Sequence, residues 1–201
     1  VMKTTRLLSV VAIAAGFTLA SQAALAYGAG DAFVRGGFAQ SEPSSDNGQV
    51  AGQDLSIDDA RGFTFGAGYL FHDKVGVELN SSEKIEHDLA LGGTGIGSID
   101  RMPVNLLVNY YPLGGLDSKV QPYVGAGVNY TRFSGEPDGI NADNSYGAAG
   151  QVGIDLAITD NLMLNGFANY AEVHSDVSAG GSEVEVKVDP VTIGGGVTFR
   201  F

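Results

Sequence analysis

The strongest constraint on what this chain can fold into is its period of two: stretches of about ten residues alternate apolar with small or polar side chains. A β-strand points successive side chains to opposite faces, so this alternation separates two environments. The stretch Gly62 to Phe71 is the clearest. Phe63, Phe65, Ala67, Tyr69 and Phe71 share one parity, and Gly62, Thr64, Gly66 and Gly68 the other. Upstream, Asp31 to Gln40 sets Ala32, Val34 and Phe38 against Arg35. Downstream, Val75, Val77 and Leu79 oppose Gly76, Glu78 and Asn80, and Val104, Leu106, Val108 and Tyr110 oppose Asn105 and Asn109. Val124, Ala126, Val128 and Tyr130 then face away from Gly125, Gly127, Asn129 and Thr131. Tyr146, Ala148, Val152, Ile154 and Leu156 oppose Gly147, Gln151, Gly153 and Asp155. Leu162, Leu164, Ala168 and Tyr170 oppose Asn165 and Asn169, with Phe167 out of step. The last stretch runs from Val191 to Phe201, its odd positions apolar except Gly195 and its even ones Thr, Gly or Arg.

The connections between these eight stretches alternate in length. His72-Asp73-Lys74, Pro112 to Ser118 and Thr159-Asp160-Asn161 are short, whereas 43–61, the segment after Asn80 and 134–144 are long. Short turns on one side and long loops on the other match the periplasmic and extracellular ends of a transmembrane β-barrel. A water-soluble sandwich needs no such asymmetry. Aromatic residues near the connections, among them Tyr69, Phe71, Tyr110, Tyr111, Tyr123, Phe133, Tyr146 and Phe199, predict girdles at the two membrane interfaces.

The first residues carry a different signal. Lys3 and Arg6 precede an apolar run from Leu7 to Ala20, and Ala24-Leu25-Ala26 gives a small-x-small cleavage pattern. Residues 1–26 therefore read as a cleavable signal peptide, and 27–201 as one domain exported to the cell outer membrane. Removing Lys3 and Arg6 leaves 9 Lys and Arg against 23 Asp and Glu, a net charge of −14 (9 − 23). Such a balance disfavours nucleic acid as a partner. The chain has no cysteine, which excludes disulfide scaffolds and thiolate metal sites. No ligand spacing resembles a calcium loop and no Walker-type loop appears, so the sequence calls for no metal or cofactor. His72, His87 and His174 form no convincing triad, since His174 and Ser175 are neighbours that point to opposite faces of a strand. The sequence does not read as an enzyme.

The chain closes on Val197-Thr198-Phe199-Arg200-Phe201, an alternating strand ending in an aromatic residue. This resembles the terminal signature read by the outer-membrane barrel assembly machinery. Further stretches resemble the OmpW family of small outer-membrane barrels: Gly30-Asp31-Ala32-Phe33-Val34-Arg35-Gly36-Gly37, Lys74 to Leu79, Met102-Pro103 through Tyr110-Tyr111-Pro112, and Gln121 to Tyr130. Ser145 to Gly153 and Val188-Asp189-Pro190 complete the set. The resemblance implies an eight-stranded antiparallel barrel with a narrow, largely apolar passage. It also implies passive uptake of small hydrophobic compounds, which leave sideways through the wall. Two departures stand out: the chain has no Trp, and Ser81-Ser82-Glu83-Lys84 follows the third strand. The family's hydrophobic constriction would have to be built here from other residues.

The parity assigns lumen candidates: Thr64, Glu78, Asn80, Asn105, Asn129, Gln151 and Asn169. They suit either a path or a closed hydrogen-bonded plug, and buried charges such as Glu78 and Arg200 require partners. Glycines on the same face either leave a thin cavity or permit the curvature of a small barrel. Pro103 cannot donate to a ladder and predicts a gap in the wall, a candidate lateral exit; Pro190 predicts the same in the last strand. Val50, Leu55 and Ile57, set among acidic residues in the first long loop, are candidates for a hydrophobic gate. Outer-membrane lipid and lipopolysaccharide are the expected surroundings. The competing reading is a structural or adhesive barrel with a sealed interior that acts through its extracellular loops.

Overall fold

A computed structural model describes residues 27–43, 49–50, 53–57, 59–83, 85–134, 140–142, 144–179 and 182–201. The signal peptide assigned to 1–26 lies outside them. In chain order the strands are β1 (Ala32–Glu42), β2 (Gln49–Val50), β3 (Gln53–Ile57), β4 (Ala60–His72), β5 (Val75–Ser82), β6 (Ile85–Leu91) and β7 (Thr94–Tyr110). There follow β8 (Val120–Ser134), β9 (Ile140–Ala142), β10 (Ser145–Ala157), β11 (Leu162–Ala171), β12 (His174–Ala179), β13 (Ser182–Lys187) and β14 (Val191–Arg200).

Eight of these, all antiparallel to their neighbours, form a closed ring in the order β1-β4-β5-β7-β8-β10-β11-β14. Closure comes from β14, which pairs with β11 on one side and β1 on the other. A ring leaves no edge strand, so every backbone group in the wall can be satisfied without water. Register keeps the two faces distinct. Val34 lies opposite both Ala67 and Phe199, while Arg35 lies opposite Gly66 and Thr198.

The usual distribution of a soluble domain is inverted. Phe38 (63% exposed), Ile193, Val128, Leu79 and Leu106 point outward, and Asn129 (1%), Asp155 (0%) and Thr198 (0%) point inward. Only a lipid surround stabilises such a molecule. Phe167, out of step in the sequence, has the inward parity of Asn165 and Asn169 and lines the lumen.

Three departures from the sequence expectations concern this frame. Tyr111, Tyr123 and Phe133, expected in the girdles, are buried inside the barrel. Tyr123 and Phe133 share the inward parity of β8 with Gly125 and Asn129, and proximity to a turn does not override that parity. Tyr69, Tyr110, Phe71, Tyr146 and Tyr170 do face outward. Second, the long connections extend as paired strands: β2 with β3, β3 with β6, β6 with the first half of β7, and β12 with β13 and β9. Two of these pairings, β3 with β6 and β12 with β9, join segments distant in sequence, which alternation alone does not reveal. Third, Pro190 precedes β14 instead of interrupting it, and its carbonyl accepts from Ala171 N at 3.3 Å.

Candidate functional site

The lumen is built in two tiers. At the turn end, Tyr27, Phe33, Leu70, Tyr111, Tyr123 and Met163 form an inner apolar cluster. Tyr27 stacks at a tilt on Tyr111, and Tyr111 on Tyr123, with ring centroids 4.7 and 5.4 Å apart. The Tyr27 carbonyl accepts from Gly115 N, which holds this segment against the turn after β7. Glycine makes room for the rings: a Cβ at Gly68 would fall within the Phe33 ring and one at Gly153 within the Tyr123 ring. On this tier the glycine rows therefore leave no passage.

Above the rings lies Arg35. Its Nη1 donates to Glu78 Oε2 at 2.6 Å and its Nη2 to Asp155 Oδ2 at 2.7 Å. Its Nε donates to Thr198 Oγ1, and its guanidinium lies over the Phe33 and Tyr123 rings, 4.4 Å from each centroid. Asp155 also accepts from Tyr27, Thr198 and Asn165. Glu78 accepts from Asn109 and Gln151. One cation thus meets two carboxylates whose remaining lone pairs are occupied by neutral donors, the condition under which buried charge is tolerable. From Glu78 a chain of side-chain amides climbs the wall: Asn105 donates to Asn80 at 2.8 Å, Asn129 to Asn105 at 2.7 Å, and Thr131 to Asn129 at 2.7 Å. Arg200 has its own partners near the turns, Asp31 at 3.4 Å and the Asp160 carbonyl.

The upper tier is a cavity that opens at its mouth to the outside. Small or apolar groups make up much of its lining, among them Gly37, Ala39, Gly66, Phe167 and Pro103. All seven lumen candidates, Thr64, Glu78, Asn80, Asn105, Asn129, Gln151 and Asn169, line it. The amides thus serve as the cavity's polar wall and join it to the plug below.

Pro103 faces this cavity where β7 changes partner on one side. Pairing of β7 with β5 ends at Ser81↔Val104 and resumes with β6 at Ile85↔Arg101, whereas pairing with β8 continues through Pro103↔Thr131. The Ser81 hydroxyl, not a backbone amide, donates to the Pro103 carbonyl at 2.6 Å. Glu83 turns back to β4, accepting from Phe63 N at 2.9 Å.

The gate candidates Val50, Leu55 and Ile57 have described backbones, opposite Gln53, Leu91 and Leu89. Their side chains lie outside the described residues. His72 ends β4 beside a short turn, accepting from Lys74 N, and His174 pairs with Asp189 at 3.2 Å.

Sequence reasoning missed the centre of the plug. Parity puts Arg35 and Asp155 on the inner face, but it reports the face and not the height along the barrel. Matching the inward charges Arg35, Glu78 and Asp155 against one another would have found them.

Residues 28–201 match the model of the OmpW family. Outer membrane protein W of Salmonella typhi is 33% identical over 210 residues, covering 95% of this chain and 98% of that protein. The crystal structure of the outer membrane protein OprG from Pseudomonas aeruginosa superposes with a TM-score of 0.82 at 28% identity, over 89% of this chain and 99% of that one. The dibenzothiophene metabolism operon protein DoxH of Pseudomonas sp. (strain C18) is 33% identical over 122 residues, 56% of each chain.

Proposed function

The chain belongs to the OmpW family and is an outer-membrane β-barrel; from that premise we propose that it gives small hydrophobic compounds a passive route, entering at the loop end and leaving sideways at Pro103. The plug carries this reading. Beneath the cavity, Arg35, its two carboxylates and the stacked rings fill the barrel, so a compound that enters has no straight way through.

The depth of Pro103 supports a lateral exit. It lies seven residues before Tyr110, the end of β7. A rise of about 3.4 Å per residue at a tilt of about 40° puts it about 18 Å above the turn end of an apolar band about 25 Å tall. A gap there opens onto acyl chains. The membership of a relative in a dibenzothiophene metabolism operon, by its name, agrees with an apolar cargo. Lipid and lipopolysaccharide would surround the wall, and Phe201 would present the barrel to the assembly machinery.

The sealed lower tier also suits the competing reading, a structural or adhesive barrel acting through its loops. One experiment separates them. Uptake of a small aromatic hydrocarbon is measured in cells lacking other such proteins, with wild type and Pro103→Ala at equal surface abundance. Restoring one ladder hydrogen bond, about 1 kcal/mol, shifts an open–closed balance by roughly fivefold, and uptake falls accordingly. Uptake that does not depend on the protein favours the structural reading, and uptake unchanged by the substitution removes the side exit.

A further inference from the structure

Four buried side-chain polar atoms among the described residues lack a hydrogen-bond partner: Ser82 Oγ, Arg101 Nε, Asn169 Nδ2 and Gln121 Oε1. The first three belong to residues that line the upper cavity. Each can donate a hydrogen bond, and an unmet buried donor costs about 1–3 kcal/mol, more when charged. A cavity that gathers such donors is complementary to a molecule bearing acceptors.

Arg101 sets the charge. It is 2% exposed, and its Nη2 donates to Ser41 Oγ at 2.6 Å. Ser41 stands on β1, which β5 and β4 separate from β7 in the wall, so the side chain crosses the lumen. No carboxylate among the described residues pairs with Arg101, in contrast to Arg35 and Arg200. It lies two residues nearer the loop end than Pro103, about 5 Å higher at the same rise and tilt, close to the membrane interface. A cation at that height without a carboxylate partner among the described residues, on a cavity whose lining includes the apolar Ala39, Phe167 and Pro103, fits a ligand with an anionic head and a hydrocarbon body.

We propose that the cavity recognises small amphipathic monocarboxylates, the carboxylate seated on Arg101 with Ser82 and Asn169 as neutral donors. This rests on the hydrophobic-route reading and adds the head-group chemistry to it. Recognition is reversible and breaks no bond.

The test uses the full-length barrel in detergent micelles, labelled with ¹⁵N, and two probes with the same ring: benzoate and benzyl alcohol. The Arg101 Nε–H resonance, assigned by its disappearance in Arg101→Lys, shifts with benzoate and stays in place with benzyl alcohol. Arg101→Gln weakens benzoate affinity, read from cavity amides, by roughly tenfold, as expected for one charge-assisted hydrogen bond, and leaves benzyl alcohol unchanged. Dispersed amide spectra verify folding; should Arg101→Gln fail to fold, Ser82→Ala with the Nε–H readout takes its place, with a smaller loss for benzoate alone. A silent Nε–H resonance, or equal loss for both probes, overturns the proposal. Protein-dependent flux of both probes into vesicles is measured in parallel. Binding without flux retains the head-group site and rejects the route, whereas flux of both probes without a response at Nε–H retains the route and rejects the site.

Discussion

Two buried arginines face the same lumen, and their surroundings differ. Arg35, in the lower tier, meets Glu78 and Asp155, donates to Thr198 and lies between two aromatic rings. Arg101, in the upper tier, has one hydroxyl partner and an orphaned Nε beside a cavity. In the lower site the cation meets carboxylates supplied by the chain, and the surrounding rings fill the space. The upper one is incomplete without a ligand. The same residue type on the same face therefore serves as a lock in one tier and as a receptor in the other, and what separates them is whether a counter-charge stands beside it among the described residues.

The largest expected effect comes from removing the lock. Arg35→Met leaves Glu78 and Asp155 buried without their cation, which costs about 3–5 kcal/mol for a broken buried pair. Urea unfolding followed by circular dichroism measures it. A loss under 1 kcal/mol would mean that the two carboxylates take up protons at little cost, and that the lower tier is not held by charge.

Smaller effects sharpen the contrast through glycine. Gly153→Ala drives a methyl group into the Tyr123 ring, which Asn165 and Arg35 hold in place, so overpacking costs about 1–3 kcal/mol. Gly66→Ala, on the cavity wall, meets Asn80 Cβ at 3.2 Å and the Leu79 carbonyl oxygen at 3.3 Å, contacts that ease with a shift of a few tenths of an ångström. Its cost should be under about 1 kcal/mol. Equal losses for the two would indicate that the upper tier is as tightly filled as the lower.

Much of this design was legible in the sequence because a period of two leaves a strong trace. Eight barrel strands, and the inward parity of Thr64, Glu78 and the side-chain amides from Asn80 to Asn169, follow from the alternation. Height along the barrel does not. Nothing local to Arg35 or Asp155 says that they meet, because they stand 120 residues apart and come together only when the ring closes. The aromatic residues show the same limit. Tyr123 lies near a turn, as a girdle residue would, but the space left by Gly153 on the neighbouring strand draws it inside. The loop hairpins escaped for a related reason, since β3 finds its partner in β6 across the whole of β4 and β5.

The claim that one arginine closes the barrel while the other awaits a ligand is tested most directly by unfolding Arg35→Met and Arg101→Met side by side, without ligand. Replacing a paired buried cation is costly, whereas replacing an unpaired one with an apolar side chain is neutral or favourable. Arg35→Met is expected to lose about 3–5 kcal/mol, and Arg101→Met to leave stability unchanged or raise it by about 1 kcal/mol. Comparable losses in both would contradict it, since Arg101 would then be as much a part of the fold's internal bonding as Arg35.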